Sequence, residues 1–142
     1  MKLAILFALQ MSCIVILAFS GRIFSSNVFL LLTEIIAIDL GYWAFIANRQ
    51  SKISIVPRPR TGVSLVIDGP YRYIRHPMYT AILLLTLAWT LENLLWWRIV
   101  AEGILLTVIV IKLLYEEEML KDIFSDYKDY MKQTRRLIPF LW

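Results

Sequence analysis

Four apolar runs, at residues 3–19, 28–47, 78–91 and 94–114, occupy about half of a 142-residue chain. They constrain its fold more than any other feature. An α-helix needs about 20 apolar residues to cross the roughly 30 Å of a bilayer's hydrocarbon, whereas a surface helix of a soluble domain keeps one polar face. The composition agrees: 59% of residues are hydrophobic, 18% are charged, and the mean hydropathy is +0.65, against about 45–50% and 25% for ordinary soluble domains. The chain therefore reads as one membrane domain, residues 1–142, with no room for a separate soluble catalytic domain. The expected fold is all-α and integral to the membrane. It has four transmembrane helices, a cytoplasmic connecting segment and an amphipathic helix from Tyr115 to about Gln133. A cleaved leader is the competing reading of residues 3–19, but the run is long for one and only Lys2 precedes it.

Charge orients these spans. Four crossings put thirteen Lys and Arg beside the chain ends and the 48–77 loop, and only Arg22 and Arg98 on the opposite side. The positive-inside rule then places both termini, and every polar motif below, at the cytoplasmic face. A net charge of +4 without an aromatic-basic surface gives no reason to expect nucleic acid. The single cysteine, Cys13, excludes an intramolecular disulfide and a cysteine-built metal site, and no metal is expected. Thr61 to Ile67 carries β-branched residues and precedes the turn signal Asp68-Gly69-Pro70, which suggests a short extended piece beside the membrane.

Two constellations carry chemistry. The first is the run from Gly69 to Tyr79, which contains Tyr71, Arg75, His76, Pro77 and Met78. Pro77 disfavours a helical conformation at His76 and suits the first position of a helix, so a helix should begin here with His76 as its cap. Such an end, with Arg75 and His76 beside it, favours an anionic group. The competing reading is an interfacial belt of tyrosines and arginines. The second is Glu116-Glu117-Glu118. Helical spacing puts Glu116 on the face of Lys112, Met119, Leu120 and Ile123, pointing inward, and turns Glu117 and Glu118 toward the polar side. Arg98 and Glu102 continue that stripe upstream, where they either pair with each other or line a path. In the second run, Asp39 is expected to look into a cavity more readily than Glu34.

At these residues the chain resembles the isoprenylcysteine carboxyl methyltransferase and phospholipid methyltransferase superfamily of integral membrane enzymes. The resemblance covers residues 56 to 140. It rests on the Gly69-Pro70-Tyr71 turn, on Arg75-His76-Pro77-Met78-Tyr79 before a hairpin of two runs, on Glu116-Glu117 closing that hairpin, and on the tail residues Phe124, Tyr127, Tyr130, Arg136, Ile138 and Pro139. It implies S-adenosylmethionine as cofactor, in a site built from segments 56–79 and 115–140. Cofactor contacts are implied at Val63, Ser64, Leu65, Val66, Tyr71, Arg75, His76, Pro77, Met78, Tyr79, Glu116 and Glu117, with residues 63–66 beside the adenine. Lys112 stands where the prenylcysteine enzymes often place an arginine that meets the substrate carboxylate; it keeps the charge and loses the bidentate fork. Glu116 and Lys112 are the expected catalytic residues. The expected activity is methylation of a lipophilic or membrane-partitioned acceptor, with a phospholipid amine as the first alternative and a non-catalytic scaffold or ligand binder as the second.

Overall fold

The computed structural model describes residues 2–50 and 65–138. Val63, Ser64, Pro139 and most of the basic loop lie outside the described residues. Five α-helices and one 3₁₀ turn are present there: α1 (Lys2–Phe19), α2 (Val28–Gln50), the turn (Gly69–Arg72), α3 (Pro77–Glu92), α4 (Trp96–Ile123) and α5 (Tyr127–Gln133). The chain is all-helical among the described residues, apart from an isolated parallel bridge between Ile74 and Arg135. Among the described residues, α2 alone qualifies by length and composition as a membrane-crossing helix; α1 and α3 are shorter apolar helices. The four runs seen in the sequence correspond to α1–α4. Leu65 to Ile67, expected to be extended, form no strand.

One part of the sequence reading is corrected here. The apolar run at 94–114 and the amphipathic stretch after it are not separate elements at Tyr115. A single helix, α4, runs 28 residues to Ile123, about 42 Å at 1.5 Å per residue. Phe124 then turns extended, with φ −117° and ψ 114°, and α5 starts afresh at Tyr127. Helical periodicity continues across a break of this kind, so the pattern alone conceals it.

Helix ends are tied to a neighbouring helix or to the α1–α2 connection. The Asn27 side chain caps α2 by accepting the Phe29 N–H at 2.9 Å. At the carboxyl end of α1 the Leu17 carbonyl accepts from Arg98 Nη2 at 2.9 Å, a cation placed where the helix dipole favours one. Glu92, at the end of α3, accepts the Ser26 N–H at 2.9 Å, and Trp89 Nε1 donates to the Ile23 carbonyl at 2.8 Å.

Helix α3 packs against α1, α2 and α4, while α1 lies along α4. Ala37, Gly41 and Ala44 line the α2 side facing α3, where a Cβ added at Gly41 would stand 3.4 Å from that of Ala81. Small residues at this spacing let apolar helices approach closely. The core, Cys13, Leu17, Trp89, Leu105, Ile109, Leu113 and Leu137, ties α1, α3, α4 and the tail together. Outside it, Phe7, Phe29, Ile36, Trp96, Val100 and many other large apolar side chains are exposed.

Candidate active site

His76 is the N-cap of α3 and Pro77 its first residue, as the sequence predicts. The His76 carbonyl accepts the Tyr79 and Thr80 N–H groups at 3.1 Å each. The tail seals this end of the bundle: the Arg75 and His76 N–H groups donate to the carbonyls of Arg135 (2.7 Å) and Arg136 (3.1 Å), and the Arg135 N–H returns to Tyr73 at 3.1 Å. Thr80 Oγ1 adds a bond to the Leu137 carbonyl at 2.7 Å. Segments more than fifty residues apart therefore share one closed polar cluster.

Glu117 lies at its centre. Its side chain is 2% exposed, with Arg75 Nε on one oxygen at 2.8 Å and Arg136 Nε on the other at 3.1 Å. Arg75 also donates to the Thr134 carbonyl at 2.6 Å and the Met131 carbonyl at 3.2 Å. Burial alone would raise the Glu117 carboxyl; contacts with His76, Arg75 and Arg136 outweigh it and hold the group at about 2. This corrects the expectation that Glu117 turns toward the polar side. Its position on the helical wheel is flanking, but the tail and the start of α3 close over that flank.

Glu116 has a different environment. Its side chain is 35% exposed, with His76 Nδ1 at 3.7 Å, and it accepts the Tyr79 hydroxyl proton at 2.5 Å. The His76 ring stacks on Tyr79 with centroids 5.7 Å apart. Burial and the Glu116 carboxylate push the Tyr71 phenol up to about 12, so its proton stays on. His76 Nε2 is buried without a hydrogen-bond partner, 3.6 Å from Glu117. Tyr71, His76, Tyr79 and Glu116 thus form a partly open group walled by aromatic faces, with a carboxylate and the Nδ1 edge of the imidazole, while Nε2 faces the closed Glu117 cluster. Such a donor set fits a sulfonium-bearing amino acid: rings for the cation, imidazole and helix start for a carboxylate, and Glu116 for an ammonium or a diol.

Lys112 lies beneath Tyr79, with Nζ 5.2 Å from that ring and 5.4 Å from the ring of Phe7. It is 8% exposed and donates to Gln10 Oε1 at 2.6 Å. Gln10, 3% exposed on α1, is a residue that the sequence reading passed over. The available signal was its position as one of two polar residues in an otherwise apolar run.

The remaining expected site residues are dispersed. Pro77 and Val66 are buried, and Arg75 serves the Glu117 cluster. Met78 borders a shallow apolar groove of about 220 Å³ between α2 and α3, with Ile38, Gly41, Ala81, Ile82 and Leu85. Leu65 lines a separate cleft of about 670 Å³ with Asp68, Arg72, Phe124, Asp129 and Tyr130. That cleft touches neither His76 nor Glu116. The acidic residues of α2 reverse their expected order: Glu34 is 1% exposed and accepts from Ser25 Oγ (2.6 Å) and N (3.3 Å), whereas Asp39 is exposed on the opposite side of the helix from α3. Arg98 and Glu102 form no ion pair; Arg98 caps α1, and Glu102 accepts from Thr86 Oγ1 at 3.1 Å.

A family model described as "Phospholipid methyltransferase" matches residues 31–127, about two thirds of the chain. No curated protein and no solved structure matches it significantly.

Proposed function

The chain belongs to the phospholipid methyltransferase family, and on that premise we propose that it transfers a methyl group from S-adenosylmethionine to a lipophilic acceptor at the cytoplasmic face of a membrane. The observation that carries this reading is the convergence of Tyr71, His76, Tyr79 and Glu116 at one partly open end of an otherwise apolar bundle. We place α1–α4 as four spans, supported by their exposed apolar side chains and by the asymmetry of basic residues.

When bound, S-adenosylmethionine supplies an electrophilic methyl carbon on a sulfonium. Transfer would form the acceptor–carbon bond, break the sulfur–carbon bond and neutralise the positive charge on sulfur. The protein's task is to align the two reactants and exclude water, more than to provide a strong nucleophile. His76 and the start of α3 hold the cofactor's carboxylate. Glu116, oriented by the Tyr79 hydroxyl, holds its amino group or ribose hydroxyls and is the group available to accept a proton from a protonated acceptor. Leu65 is proposed to lie beside the adenine. Glu117 and Arg75 act as positioning residues that lock the start of α3 to α4. Lys112 and Gln10 form the floor under Tyr79, and the groove beside Met78 receives the apolar part of the acceptor.

A phospholipid amine is the second reading of the acceptor, favoured by the description of the family that matches. Incubating the purified protein with methyl-labelled S-adenosylmethionine and total membrane lipid separates these possibilities. Label in an aminophospholipid selects the second reading, and label in another lipophilic compound identifies the acceptor. Saturable cofactor binding with no labelled product in any membrane fraction would instead favour a non-catalytic ligand binder.

A further inference from the structure

Asp39 is eleven residues from either end of α2 (Val28–Gln50), about 16 Å by helix rise, and half the hydrocarbon thickness is about 15 Å. Its carboxyl is therefore at mid-membrane depth, where a short side chain cannot snorkel to either interface. It is exposed, on the helix face opposite α3, and among the described residues no hydrogen bond or ion pair reaches it. Tyr42, three residues on and 68% exposed, stands between this face and the α2–α3 groove, whose rim it also lines, and among the described residues its hydroxyl has no partner. Leu32, Ile35 and Ile36 complete the face with exposed apolar surface. A carboxyl in hydrocarbon is costly unless it meets a partner or a cavity; the α2–α3 groove points away from it.

We propose that this face of α2 joins a second copy of the chain, the Tyr42 hydroxyl of each copy donating to the Asp39 carboxyl of the other. The occupant follows from self-complementarity. A two-fold interface brings the same patch together from both copies, so each acceptor must find a donor on that same patch. This face carries one of each. A two-fold axis along the membrane normal keeps both copies in the same orientation and at equal depth. The two groups are offset by about 4.5 Å along the helix, within the reach of a tyrosine side chain. The apolar residues around them pack the two helices together. The proposal rests on α2 crossing the membrane and is independent of the acceptor.

The test uses the full chain in lipid nanodiscs and in native membranes, in a Cys13→Ala background. Ile36→Cys should cross-link to twice the chain mass, while Val100→Cys, also more than half exposed but on α4, should not. Light scattering in mild detergent should give a dimer whose dissociation constant rises roughly tenfold or more in Asp39→Leu and in Tyr42→Phe. S-adenosylmethionine binding by Asp39→Leu should match wild type, which shows that the variant is folded. A wild-type monomer at all concentrations, unchanged dimerisation in both variants, or equal cross-linking from Val100→Cys would each overturn the proposal. Release of the wild-type protein by alkaline carbonate would remove its premise and overturn it with that premise. A dimer that binds no cofactor would leave this interface standing and reject the methyltransferase reading alone.

Discussion

At Glu117 a carboxylate with 2% exposure faces two guanidinium groups, and at the next residue toward the amino terminus Glu116 keeps about a third of its side chain open beside Tyr79 and His76. Their substitutions should separate accordingly. Glu117→Gln removes the counter-charge of the buried Arg75 guanidinium and should destabilise the fold by about 3–5 kcal/mol, read as a lower midpoint in thermal or denaturant unfolding. Glu116→Gln should leave that midpoint nearly unchanged and weaken S-adenosylmethionine binding by about 10- to 150-fold, the loss of one charge-assisted hydrogen bond. Equal cofactor affinities for the wild type and Glu116→Gln by calorimetry would remove Glu116 from the site. Acid sensitivity follows from the same pair. The Glu117 carboxyl is depressed from 4.5 to about 2 in the folded protein. Its stabilisation is therefore fully present above the unfolded value and is lost as pH falls through the folded one. Unfolding measured from pH 5 down to pH 2 should show a loss of stability in wild type that Glu117→Gln lacks.

At the scale of elements, the decisive joints are short connections. Gly69 opens the 3₁₀ turn with φ +61°, and a Cβ there would stand 3.1 Å from Trp43 Nε1 and 3.3 Å from Ala47 Cβ. Gly69→Ala should therefore cost about 1–2 kcal/mol for the left-handed conformation alone. It should also displace Tyr71, two residues on, so cofactor affinity should fall together with the unfolding midpoint; an unchanged midpoint would show that the turn relaxes freely. The second joint is the break at Phe124. It lets α5 fold back, where the Tyr130 hydroxyl donates to the Tyr71 carbonyl at 2.6 Å and residues 134–137 reach the start of α3. Had α4 continued along its own axis, Arg136 could not meet Glu117.

For the whole molecule, orientation is the property that charge predicts. In intact cells a cysteine introduced at Asn93, in the short α3–α4 connection, should react with a membrane-impermeant thiol reagent, and one at Gln133 in α5 should not. The reverse pattern would place the Tyr71, His76 and Glu116 group on the outer face and reject a cytoplasmic site. The two ends of α4 differ in character accordingly: Arg98 and Glu102 serve helix capping and packing, whereas Lys112, Glu116 and Glu117 gather the polar groups of α1, α3 and the tail.

The number of apolar helices, and the start of α3 at Pro77 after His76, were determined by the sequence alone. Apolar run length and the fixed φ of proline are local properties that do not depend on what surrounds them. The polar stripe along α4 was legible for the same reason, since Arg98, Glu102, Lys112 and Glu116 recur at helical spacing. Only the tertiary structure decided which stripe residue is sealed and which is open. Ile123 stays 45% exposed while Glu117 is buried, so the apolar residues of this stretch do not mark its inner face, and the burial of Glu117 is conferred by Arg75 and Arg136, distant in the chain. The same holds for Glu34 and Asp39. Both are carboxylates in one apolar helix, but one meets Ser25 and the other faces away from the bundle, because the packing of α2 on α3, not the residue type, sets which side is inside.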